Sequence, residues 1–148
     1  MRLVRHYDWP ERLNRVLEAA RSAEFGWGTF DCALHVANCI RGIVTSGVDV
    51  GASYRGKYSD EASAIAIFGT DLGAFAATIA ATFGMEEVMP TLARRGDVVF
   101  VDNSTPQFPS PYGALGIVSM DGRFAACAST KGLVHVHMQR WKRAWRVG

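Results

Sequence analysis

Near Ala93 the spacing of apolar residues changes from helical to alternating, so helices should be followed by strands. Upstream of it, Trp9, Leu13, Val16, Leu17 and Ala20 recur at the spacing of one helix face. Asp8, with Glu11 three residues on, supplies a start resembling a capping box. A second helix is predicted over residues 31–43, capped by Thr29 or Asp31, with Cys32, Val36, Cys39 and Ile43 on one face. Residues 47–58 are rich in Gly and Tyr and read as an ordered loop. Two more helices follow over about 60–68 and 70–83, with Gly69 and Gly84 where helices commonly stop.

Downstream, a turn at Arg94-Arg95-Gly96-Asp97 leads into Val98-Val99-Phe100-Val101, and further strands are expected at 115–120, 124–127, 133–138 and 144–147. Residues 103–112 hold three prolines and read as a loop; Asp121-Gly122 reads as a tight turn. Short connections favour antiparallel pairing, which gives four to five strands in one sheet. Helices first and strands afterwards predict an α+β fold, and 148 residues suit a single domain spanning 1–148. Trp27, Cys39, Phe100, Ile117 and Trp145 are the expected core markers.

Composition narrows the function. The chain is 49% hydrophobic and 20% charged, with net charge +2, as in ordinary soluble domains. Lys and Arg are scattered, so no nucleic-acid partner is expected. Their one cluster (Arg140, Lys142, Arg143, Arg146) alternates with Trp141 and Trp145, as in a solvated strand with its tryptophans turned inward. The longest apolar stretch, 62–85, is interrupted by Gly69, Asp71 and Gly73, so no membrane span is expected. The first residues lack the apolar core of a secretion signal, which points to the cytoplasm or an assembly built there. Three cysteines, Cys32, Cys39 and Cys127, without a CxxC pair suggest neither a disulfide framework nor a zinc site.

The sharpest local pattern is Phe25-x-Trp27-Gly28-x-x-Asp31-Cys32. A cysteine in the first turn of a helix meets free backbone N–H groups and the positive end of the helix dipole, which favour the thiolate that a cysteine peptidase uses as nucleophile. The alternative is a small buried cysteine serving only as packing.

Trp27-Gly28-x-x-Asp31-Cys32 at a helix start, Arg95-Gly96-Asp97-Val98-Val99 leading into a strand and Leu115-Gly116-Ile117-Val118 on the next resemble the papain-like NlpC/P60 superfamily. With Gly132-Leu133 and Ala144-Trp145-Arg146-Val147, the chain looks most like a small branch encoded by phages and prophages, over about residues 9–147. Such a resemblance implies helices packed on an antiparallel sheet and hydrolysis of peptidoglycan peptides by a cysteine, a histidine base and a polar residue that orients the histidine. Carried over, Cys32 holds the nucleophile position. The base position is Ala114, which accepts no proton, and the orienting position falls near Ala126, Cys127 and Ser129. A positioned base contributes roughly 10²–10⁴-fold, so Ala114 argues against efficient hydrolysis.

None of the four histidines falls at the vacant position, although His35 could approach Cys32 from its own helix and His135 or His137 could serve in catalysis. His6 precedes the first helix; His35 shares the helix of Cys32; His135 and His137 lie two apart on a strand with no third ligand at a suitable spacing, so no metal and no cofactor are expected. Asp97 reads as a turn or hydrogen-bonding residue. The resemblance therefore implies a structural component of a siphophage or prophage tail, near its tip, contacting other tail proteins. The alternatives are an active cysteine peptidase or amidase acting on peptidoglycan as the phage infects, and a domain that binds cell-wall peptide without cleaving it. An apolar set in the loop at 103–112, including Phe108 and Tyr112, is the first candidate contact surface, with 47–58 second.

Overall fold

A computed structural model describes residues 2–101 and 112–148. It is an α+β fold with four helices and six strands among those residues. The helices are α1 (Trp9–Arg21), α2 (Cys32–Ile43), α3 (Glu61–Phe68) and α4 (Leu72–Thr82). The strands are β1 (Glu87–Val88), β2 (Val98–Val101), β3 (Ala114–Val118), β4 (Phe124–Ser129), β5 (Gly132–His137) and β6 (Trp141–Trp145). All pairings are antiparallel, in the order β1-β6-β2-β3-β4-β5. The loop expected at 103–112 lies, but for Tyr112, outside the described residues.

α2 is apolar almost all round and is the buried centre, lying between α1 and strands β3 and β4. β4 carries Ala125, Ala126, Cys127 and Ala128 in succession, and Ala126 (opposite Ile117) and Ala128, on the helix side, let α2 approach the sheet closely. Leu115 and Ile117 of β3 pack on the helix side with Leu34, Val36 and Ile40. On the other side, Val99, Val101, Ala114, Val118, Cys127, Val136 and Trp141 form a second apolar cluster.

That second cluster exists because the sheet curls. β5 and β6 are separated by three strands, roughly 19 Å across a flat sheet at ~4.8 Å per step. Yet a single 3₁₀ turn, Met138–Arg140, joins them, and at ~2 Å rise per residue it spans far less. The sheet must bend until the two strands approach, and Trp141 Nε1 accordingly donates to the Val136 carbonyl at 3.0 Å.

β6 supplies both sides through a bulge. Val101 faces Trp141 while Phe100 faces Arg143, which leaves Lys142 as the extra residue. Trp141 therefore packs inside the curl, whereas Trp145 packs on the helix side. Both tryptophans are buried as expected, but on opposite faces.

Several expectations need correction. The sheet has a sixth strand, β1, whose two residues give no periodic signal. β6 inserts between β1 and β2, so it does not lie beside β5, its neighbour in sequence. The predicted capping box at Asp8 does not form; Arg12 Nε binds the Asp8 carboxylate at 2.7 Å instead. Cys39, Ile117 and Trp145 are buried, but Trp27 and Phe100 are only partly so. Trp27 leans edge-on against Phe25 and leaves one face toward a cleft. No single helix among the described residues is long and apolar enough to cross a membrane; α3 and α4 reach that composition only as a pair bent by 53°.

Candidate functional site

Asp31 organises the start of α2. Its Oδ1 accepts from Leu34 N at 3.0 Å, capping the helix, and its Oδ2 accepts from Gly28 N at 3.0 Å and from the Tyr58 hydroxyl. Gly28 has φ +79°, and a β-carbon there would run into the Tyr58 carbonyl. Only glycine allows the loop to pass this close to Tyr58. Asp31 and Tyr58 are both buried, and burial with the Asp31 contact pushes the phenol far up. The sequence marked Asp31 as a cap; Tyr58 carried no signal, because residues 47–58 lack periodicity.

Cys32 follows as the first residue of α2, where the sequence placed it, and faces β3. The backbone N–H groups of Leu115, Ala33 and Cys32 lie near the sulfur and favour the thiolate. Desolvation, reinforced by the Asp31 carboxylate, outweighs them, and the thiol is pushed up to about 12. The helix start alone led to an expectation of partial ionisation; burial against β3 reverses it.

The half-buried Cys32 lines a cleft of about 240 Å³. Phe25 and Trp27 form one wall, Ile65, Phe68 and Leu72 another, and Ala114, Ala128 and Ser129 close the sheet end. Pairing of Ile117 with Ala126 and of Val118 with Ala125, extended along the strands, sets Ala114 opposite Ser129. Cys32, Ala114 and Ser129 thus line one cleft. Cys127 is buried just inward, and Gly116 makes room for it: a β-carbon at 116 would overlap Cys127 Sγ.

The histidines lie elsewhere. His35 is fully buried one turn along α2, with its ring nitrogens 3.9 and 4.0 Å from Cys39 Sγ and its edge against Phe30. Desolvation holds it down at about 4 despite a hydrogen bond to the Ala126 backbone, so it stays neutral. His137 Nδ1 accepts from Gln139 N at 3.2 Å and its ring stacks edge-on with Phe124, while His135 is exposed on β5. Among the described residues no histidine hydrogen-bonds to the Cys32 sulfur.

Asp97, at the other end of β2 and β3, has an architectural role. Fully buried, it accepts from Arg94 N at 2.8 Å, Val147 N at 3.1 Å and Arg5 Nη2 at 2.9 Å, with Arg146 Nε at 3.7 Å. Arg5 also donates to the carbonyls of Val147 and Arg95. The segment before α1 is thereby fastened to the segment after β6.

The chain belongs to the family described as a domain of unknown function, DUF6950, whose model matches residues 4–147. No curated protein matches the sequence.

Proposed function

We propose that this DUF6950 member is a papain-like domain of the NlpC/P60 type that has lost its acid–base machinery and serves as a structural subunit of a phage or prophage tail, near the tip. The observation that carries the reading is the cleft itself. Cys32 occupies the first turn of the central helix against the sheet, Ala114 and Ser129 line the same cleft, and the base position is a methyl group. Amide hydrolysis needs a thiolate and a proton donor for the leaving amine. Cys32 is held protonated, and nothing at Ala114 delivers a proton. What survives is a shaped surface on a stable scaffold. The tail assignment rests on the sequence resemblance to the phage-encoded branch.

The test is a Cys32→Ala substitution in the encoding phage or prophage, read by infectious titre and by mass spectrometry of purified virions. Unchanged titre, with the chain present in the particle, is expected. Loss of titre by particles that still assemble favours the peptidase reading, and absence of the chain from virions overturns the tail assignment.

A further inference from the structure

The end of the sheet away from the cleft carries a second surface. β3 runs from Ala114 at the cleft to Val118, whose N–H donates to the Asp97 carbonyl, so about 13 Å of strand separates the two. Around Asp97 stand four guanidinium groups. Arg5 and Arg146 bind its carboxylate, Arg94 presses on Arg5 electrostatically, and Arg95 shares the Trp9 ring with Arg5. The Arg5 and Arg95 guanidinium carbons lie 4.4 and 5.9 Å from the Trp9 ring centroid.

Asp97 is wholly buried and already occupied, which leaves Arg94 and Arg95 exposed with no ion pair among the described residues. Asp8, beside Trp9, is taken by Arg12. The excess positive charge is therefore directed outward.

Apolar groups are exposed on the same segments. Tyr7 is 97% exposed, Met89 66%, and Leu92, whose carbonyl accepts from Arg146, 58%. Tyr, Trp, Met and Arg without Lys is the composition of the buried centre of protein interfaces. A nucleic-acid backbone would use the charge but waste Tyr7, Met89 and Leu92. A second copy of the chain would bring like charges together.

We propose that the face formed by Tyr7, Trp9, Leu92, Arg94, Arg95 and Arg146 docks an acidic segment of a protein partner that also carries aromatic or aliphatic side chains. Carboxylates pair with Arg94 and Arg95, and apolar side chains cover Tyr7 and Leu92. The inference stands apart from the tail assignment, since it concerns partner chemistry at the far end of the domain from the cleft.

The experiment is fluorescence anisotropy with a short labelled peptide alternating Glu and Phe, against wild type, an Arg94→Glu/Arg95→Glu double variant and Lys57→Glu. Only the backbone of Arg94 and Arg95 joins the Asp97 network, so the double variant should stay folded, which its melting curve checks. Wild type and Lys57→Glu should bind equally, with the double variant at least about tenfold weaker. Failure of wild type to bind, or equal binding by the double variant, overturns the proposal. Tighter binding of a single-stranded oligonucleotide than of the peptide also overturns it, in favour of nucleic acid, and concentration-dependent dimerisation abolished by the double variant overturns it in favour of self-association.

Discussion

Replacing Asp97 by alanine should be among the most damaging single changes in this chain. The carboxylate is fully buried and accepts from Arg5, Arg94 N and Val147 N, with Arg146 close by. Its removal leaves two backbone N–H groups and a largely buried guanidinium without their acceptor. Arg5 keeps its bonds to the Val147 and Arg95 carbonyls, which limits the damage. Removing one partner of a buried ion pair costs about 3–5 kcal/mol. At about 2–4 °C per kcal/mol for a domain of this size, the melting temperature should fall by roughly 6–20 °C. Thermal melts followed by circular dichroism measure it, and a double-mutant cycle with Arg5→Met isolates the pair. The double variant should lose less than the two single losses together, because it leaves no uncompensated guanidinium. A drop below about 3 °C for Asp97→Ala, or strict additivity in the cycle, refutes the buried latch.

Two further outcomes follow from the core. His35 is held down at about 4 from an ordinary 6.5, so it contributes stability above pH 6.5 that is lost as pH falls through 4. The loss should approach about 3 kcal/mol in urea titrations, and His35→Gln should remove that pH dependence; an equally steep acid loss in the variant counts against it. Gly116→Ala sets a methyl group onto Cys127 Sγ and should cost about 1–3 kcal/mol, and adding Cys127→Ala should restore most of it. Destabilisation that the second change leaves untouched shows that the clash lies elsewhere.

The gross architecture was legible because it rests on periodicity. α2 and its Asp31 cap, the C-terminal glycine of α3 and strands β2 to β5 follow from local spacing and turn chemistry. What escaped depends on contacts distant in sequence. The ends of β6 were misplaced because the Lys142 bulge breaks its alternation, and the bulge forms only where β2 lies alongside. Asp8 resembled a capping residue, but a nearby arginine competes for the same carboxylate. At the candidate site, the motif located Cys32 at the helix start, where helix geometry favours its ionisation. The state of its proton is decided by desolvation against Leu115, which belongs to a strand more than eighty residues away. Tyr58, which locks Asp31, had no local signature.

The position of β6 bears on how the protein is made. Among the described strands of this sheet it comes last in the chain, yet it is not at an edge: β1 and β2 both pair with it. Until it arrives, Val98-Val99-Phe100-Val101 presents one unpaired, uncharged flank, and β1 has no neighbour. An apolar strand with an open flank can pair with another copy of itself. Ribosomes translating this message side by side would hold such half-finished sheets close together. Synthesis therefore passes through an interval prone to aggregation, which closes when Trp141–Trp145 zips into the gap.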